Sequence, residues 1–331
     1  MKKIIFLGIV LLMVLGCGDK KAGVDIPTIT TKDLYQGTDG LALEFIPNSP
    51  PDQVYERGYA PVGLNLKNKG TFDIVDGYLS ISLEKDYMNA QENSYKSMAD
   101  LIQYMGDDHL LFDIKGKSIE SGDGENDQVT FITNINELEE MSIVHSTAIL
   151  ATACYKYQTQ LSDQICIDTD VFGTRTVQKP CKTESKTFSS QGAPVAITQV
   201  EMSMLPDVDN DLVRPQIIIQ INNLGNGEVI EDQRTSISKA CSAQAVEYKS
   251  WNKVIVNAVM GSNRIFDCDL AEGTGNSAEV VLKEKTAKVR CIYQEGIPFD
   301  EGTHSEPLFI QLDYGYTTSI SKTIKINKLK G

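Results

Sequence analysis

The chain is poor in the residues that carry most enzyme chemistry. Its 331 residues include one tryptophan and three histidines, and its 31 basic residues are outnumbered by 45 acidic ones. The histidines, His109, His145 and His304, are scattered singly, and no HExxH, GxSxG or Walker A pattern is present. Zinc-protease, nucleophile-elbow and P-loop chemistry are therefore without a sequence basis. No two cysteines stand in a CxxC, which leaves thioredoxin-like and zinc-ribbon readings unsupported. A formal charge of -14 repels nucleic acid and anionic lipid heads, and it suits an exposed, soluble surface.

What is present begins at the first residues. Lys2 and Lys3 precede an apolar run from Ile4 to Leu15 that ends in Val14-Leu15-Gly16-Cys17. A positive start, a short apolar core and a small residue before a cut site form an export signal. The run is shorter than the ~20 apolar residues needed to span a bilayer. The small residue followed by cysteine resembles the lipobox of lipoproteins. That resemblance implies removal of residues 1–16, a lipid on Cys17, and a mature protein tethered to a membrane at the cell envelope.

An exported chain meets an oxidising compartment. The remaining six cysteines, Cys154, Cys166, Cys181, Cys241, Cys268 and Cys291, are therefore disulfide candidates. Three fall in each half of the chain. Either one bridge crosses between the halves, or each half keeps a free thiol.

Residues 17–40 are polar and aperiodic, as a spacer is. From residue 41 onward short runs alternate apolar and polar residues. Val62, Leu64 and Leu66 do so, as do Leu79, Ile81 and Leu83, and many later runs broken by Gly, Asn, Asp and Pro. This is the pattern of half-buried antiparallel strands, and it predicts an all-β protein. One helix is expected where Met98, Leu101, Ile102 and Met105 fall at i, i+3, i+4 and i+7, as a short insertion.

The two halves repeat one another. Leu64-Asn-Leu-Lys-Asn68-Lys-Gly70 matches Ile219-Gln-Ile-Asn-Asn223-Leu-Gly225, each an alternating strand ending at Asn-x-Gly. Asn and Gly tolerate positive φ, so a tight turn is expected there. Tyr155 and Tyr157 match Tyr314 and Tyr316, and Ile165 and Ile167 match Ile324 and Ile326, at one common offset. A tandem repeat follows: one unit at 41–170 carrying the helical insertion, a linker at 171–192, and a second unit at 193–331. The strand-then-Asn-x-Gly layout resembles immunoglobulin-like and CARDB-type β-sandwich domains of bacterial and archaeal surface proteins. Ala153-Cys154-Tyr155-Lys-Tyr157, Cys166-Ile-Asp168 and Gln191-Gly-Ala-Pro-Val195 are similar to uncharacterised envelope proteins of small-genome archaea. The resemblance implies two tandem immunoglobulin-like β-sandwich domains. The Cys…Trp…Cys frame of antibody domains is missing, since Trp251 has no counterpart in the first half.

Few candidate sites emerge. Asp207, Asp209 and Asp211 alternate as in an oxygen-ligand calcium loop, although Leu212 and Ile218 stand where an EF-hand needs Gly and Glu. A solvated hairpin loop competes with that metal reading. Residues 122–127 form a second acidic turn. Asp267 and Asp269 flank Cys268 and disfavour its thiolate. The paired tyrosines are expected to be framework packed on a sheet rather than a sugar platform. The expectation is a non-enzymatic, lipid-anchored envelope protein for binding, adhesion or structure. It needs no cofactor, and an envelope protein or a glycan is its partner. A carbohydrate-binding module, calcium-assisted or not, is the alternative, and a hydrolase on a sandwich scaffold is the third.

Overall fold

A computed structural model describes residues 34–106, 109–176, 178–242, 244–268 and 277–329. The signal, Cys17 and most of the expected spacer lie outside the described residues. The described residues form an all-β sandwich of three sheets. One outer sheet has the order β1 (Leu41–Phe45), β3 (Tyr59–Asn68), β9 (Asn126–Ile135), β5 (Met88–Ala90), with β6 (Lys96–Ser97) also on β9. The other runs β11 (Lys186–Thr187), β12 (Val195–Asp207), β13 (Leu212–Asn223), β18 (Thr286–Ile292), with β19 (Ile297–Pro298) on β13.

The third sheet draws strands from both halves of the chain. Its order is β16 (Arg264–Ile265), β15 (Lys253–Met260), β20 (His304–Asn327), β10 (Val144–Ile167), β4 (Ile74–Ser82), β8 (His109–Ile114), β7 (Ile102–Gly106). β2 (Gln53–Tyr55) and β14 (Glu228–Ile230) add to β20, and β17 (Ser277–Val281) adds to β15. β10 and β20 are each 24 residues long and pair antiparallel throughout, from Val144↔Asn327 to Ile167↔His304. Ordinary strands run about 3–10 residues. The register is symmetrical about Lys156↔Gly315, so Tyr155 faces Tyr316 and Tyr157 faces Tyr314.

Alternation decides which faces are buried. β13 alternates buried and half-buried residues along its whole length, and β9 does nearly the same. Leu64, Val129, Leu79, Tyr155, Ile219, Val256 and Tyr314 join one continuous apolar core that all three sheets feed. A smaller apolar cluster lies elsewhere, built on Cys154, Ile230, Ile237 and Cys241, with Tyr78, Val246 and Trp251 packed on it. It contains the α1 helix (Arg234–Ala240).

The expected helix near residues 98–105 is not formed. Lys96–Ser97 and Ile102–Gly106 are strands, and Met98 and Met105 are exposed. Asp127 is buried, and its carboxylate accepts the backbone N–H groups of Met98 (3.1 Å), Ala99 (2.8 Å) and Leu101 (3.1 Å). Asp100 takes φ 58°. The N–H groups that a helix would use are held by the carboxylate, and the left-handed residue breaks the helical path. The expected acidic turn thus delivers a structural carboxylate rather than a solvated loop at its last residue.

The expected spacer and linker are ordered where they are described. Leu34 is buried, Gly192 N–H donates to the Gly37 carbonyl at 3.1 Å, and Gly37 N–H donates to Ser190 Oγ at 3.1 Å. Within 171–192, Lys179 bonds Asp168 at 2.7 Å, and β11 joins an outer sheet. Burial opposes ionisation of Asp168, but Lys179 and Thr303 outweigh it and hold the carboxyl below its usual range.

All six candidate cysteines pair: Cys154–Cys241, Cys166–Cys181 and Cys268–Cys291. The first bridge crosses between the halves, which resolves the odd count in each. Three disulfides mark an extracytoplasmic protein. Among the described residues no helix is long and apolar enough to cross a membrane.

Candidate binding site

The tyrosines form a buried frame. Tyr157 hydroxyl donates to Asn68 Oδ1 at 3.2 Å, and Tyr316 hydroxyl donates to Asn223 Oδ1 at 3.2 Å. Each asparagine also accepts the N–H of the glycine two residues on, Gly70 at 3.1 Å and Gly225 at 3.2 Å. Tyr155 hydroxyl accepts Leu41 N–H, and Tyr314 hydroxyl accepts Val195 N–H. The same bonds recur in both halves on the matched residues. Burial pushes all four phenols up, Tyr316 to about 12. A buried ring cannot stack a ligand, so the framework reading holds.

The Asp207, Asp209, Asp211 loop is the β12–β13 hairpin. Asn210 Nδ2 donates to Asp207, and Arg214 bonds Asp207 Oδ2 at 2.8 Å. Asn210 and then Arg214 hold the Asp207 carboxyl below its usual range. Asp209 and Asp211 are exposed, and the three carboxylates are not gathered into a ligand set.

Among the described residues one group of three metal-type ligands converges, Glu301, His304 and Glu306. Arg264 lies across it, with Nη1 on Glu306 Oε1 at 2.5 Å and Nη2 on Glu301 Oε1 at 2.8 Å. The guanidinium already supplies the positive charge, so a cation there must displace it. His145 bonds Glu84 Oε2 at 3.1 Å and stacks on Tyr87. The hydrogen bond from His145 lowers the Glu84 carboxyl. Among the described residues neither His145 nor His304 bonds a serine, threonine or cysteine side chain.

A cleft of 1240 Å³ lies over the face of the central sheet opposite the tyrosines. Strand alternation builds its floor. Because Tyr157 and Tyr314 point into the core, Gln158, Gln160 and Ser162 on β10 and Phe309, Gln311 and Asp313 on β20 point the other way. Register then aligns them in rows: Gln158 beside Asp313, Gln160 beside Gln311 beside Asn257, and Ser162 beside Phe309 beside Val259. Residues 35–37 and 187–191 form the wall, bringing Tyr35 and Phe188.

The amides are oriented by one carboxylate. Gln158 Nε2 donates to Asp313 Oδ1 at 2.7 Å, and Gln311 Nε2 donates to Oδ2 at 2.8 Å. Gln160 Nε2 donates to Gln158 Oε1 at 2.5 Å. A carboxylate only accepts, so both neighbouring amides must turn N–H groups towards it. The carbonyl oxygens of Gln160 and Gln311 are left over as acceptors. Among the described residues the side chains of Asn257, Ser162 and Ser189 make no hydrogen bond. Asp163, the one charged residue of the lining, is paired with Lys186 at 2.9 Å.

None of the floor residues was a candidate by motif. Their signal was the alternation of Tyr155-Lys-Tyr157-Gln-Thr-Gln160, which puts the glutamines on the face opposite the tyrosines. The strand register that assembles three strands' amides into a row is not written in any local pattern.

No protein-family model matches the chain, and no curated protein matches it. Solved structures give slight overlaps. An enzyme that catalyses macrocyclization in alchivemycin A biosynthesis is 13% identical, with 37% of this chain and 76% of that one covered and a TM-score of 0.22. A type I cohesin–dockerin complex of Clostridium thermocellum gives 12% identity, 36% and 85% coverage, and a TM-score of 0.24. The collagen binding domain of an Erysipelothrix rhusiopathiae surface protein gives 10% identity, 87% and 97% coverage, and a TM-score of 0.13. Likeness at this level carries no argument about function.

Proposed function

We propose that this chain is a lipid-anchored, non-enzymatic binding protein of the cell envelope, built from two immunoglobulin-like repeats, 41–170 and 193–331, that share the central sheet. Lipid on Cys17 tethers it, and the ligand seats in the cleft over β10, β20 and β15. The observation that carries this reading is the row Gln160–Gln311–Asn257, whose hydrogen-bonding capacity is only partly used within the protein and faces an open cleft. Ligand sites combine apolar walls with a few convergent polar groups, and this cleft has both. Three disulfides support the compartment, and the Gly16-Cys17 pair supports the anchor.

The test has two arms on the full chain. The mass of the N-terminal peptide, with release of a Cys17→Ser variant from envelope to medium, reads the anchor. A Cys17→Ser variant that stays in the envelope overturns it. A photo-crosslinking amino acid at Ser162 is expected to give an adduct with an envelope component, and one at exposed Tyr248 is not. No adduct at Ser162 overturns the binding role.

A further inference from the structure

We infer that the cleft over the central sheet takes a neutral, hydroxyl-rich glycan. This rests on the proposed binding role and names its ligand class.

Charge narrows the ligand first. The lining contains no lysine, arginine or histidine, so it has no positive charge to pair with a phosphate, sulfate or carboxylate. The chain's charge of -14 adds a general repulsion of polyanions. A cationic ligand needs a free carboxylate. Asp163 is held by Lys186, and Asp313, in the next row of the same face, accepts from two glutamines. Lys186 pairs the one carboxylate that lines the cleft, so the floor offers amides and hydroxyls rather than an ion partner.

Hydrogen bonding narrows it further. β20 runs down the middle of the floor and is paired on both sides, by β10 and β15. Its backbone groups are occupied, so an extended peptide cannot add to it as a further strand. Recognition over β20 falls to side chains. The Asp313-centred relay presents the carbonyl oxygens of Gln160 and Gln311, while Asn257, Ser162 and Ser189 offer both donors and acceptors. A surface mixing amide carbonyls with amphoteric groups is matched by vicinal hydroxyls, each of which donates and accepts. The rings of Phe309, Phe188 and Tyr35 add apolar faces suited to the C–H faces of sugar rings, and Phe309 is 47% exposed. A cleft of 1240 Å³ exceeds the roughly 300–1,000 Å³ of a drug-sized pocket and has room for an oligosaccharide.

The test is native affinity electrophoresis of the full chain in mild detergent, through gels holding mannan, galactan or β-glucan, with hyaluronan as the anionic probe. At least one neutral polysaccharide is expected to retard the protein. Gln160→Ala/Gln311→Ala should weaken that retardation about tenfold, the loss that one to two net hydrogen bonds imply. Tyr248→Ala, at an exposed aromatic elsewhere, should leave it unchanged. Thermal midpoints of all variants separate lost binding from lost folding, and Asn257→Ala, which breaks no internal bond, repeats the test where the double variant fails to fold. Retardation by hyaluronan alone, or undiminished retardation in both floor variants, overturns the proposal. No retardation by any neutral polysaccharide also overturns it. If Ser162 still crosslinks an envelope component, only the glycan assignment falls; if it does not, the binding role falls too.

Discussion

A Cβ built on Gly70 would lie 1.9 Å from the Tyr157 hydroxyl, and one on Gly225 would lie 2.3 Å from the Tyr316 hydroxyl. Neither glycine is among the residues with positive φ. The Asn-x-Gly motif is therefore not a left-handed turn, as its composition implies. Its glycine makes room for a tyrosine, and its asparagine holds that tyrosine's hydroxyl. The motif was legible and its physical reason was not, because the tyrosine that needs the space lies some ninety residues away. The four phenols make a pH prediction. Each folded value lies above the unfolded value near 10. The stability from the neutral hydroxyls is complete below about pH 10 and is lost as pH rises towards the folded values, about 12 for Tyr316. With four groups, stability falls by up to about 5 kcal/mol per pH unit across that window. Near-ultraviolet phenolate absorbance followed together with circular dichroism checks this. The buried tyrosines should ionise only as the strand signal collapses. A full complement of phenolate near pH 10 in a still-folded protein would contradict it.

At the scale of elements, strands were readable wherever one face is buried, because alternation records burial directly. The segment at 98–105 was misread because helical spacing of Met98, Leu101, Ile102 and Met105 is also produced by a loop wrapped on a carboxylate. Asp127, which does the wrapping, is distant in sequence. The described helix α1 had no apolar stripe of its own to announce it. It is fixed on the sheet by Cys154–Cys241, which joins β10 to the segment after α1. This bridge spans 87 residues, Cys166–Cys181 spans 15 and Cys268–Cys291 spans 23. Chain-entropy reasoning then ranks the double alanine variants. Losing Cys154–Cys241 should cost about 4–5 kcal/mol, and losing Cys166–Cys181 about 3 kcal/mol. Urea unfolding measures both. Hydrogen exchange should show α1 losing protection first in the Cys154→Ala/Cys241→Ala variant, since only Ile230, Ile237 and a few neighbours then hold it. The reverse ranking, or an α1 as protected as before, would refute the role of the bridge.

For the whole molecule, the duplicated landmarks announced a repeat but not how the copies associate. The partner of β10 is β20, and no local pattern specifies a pairing across so much chain. The register centred on Lys156↔Gly315 gives the two halves the self-complementary relation of an isologous dimer interface, here within one chain. Each half alone would expose one full edge of a 24-residue strand, a template for unwanted pairing. The halves also feed a single core, and the Cys154–Cys241 bridge and the β2–β20 pairing cross between them. Melting one half would leave Tyr155, Tyr157, Tyr314 and Tyr316, in contact across the register, half uncovered. The two halves of the chain are therefore expected to unfold together, unlike two sandwiches on a flexible linker. Scanning calorimetry should give one peak with calorimetric and van't Hoff enthalpies in agreement. Two resolved transitions, or a folded and monomeric isolated half, would show that the shared sheet is a contact between independent domains rather than the frame of one body.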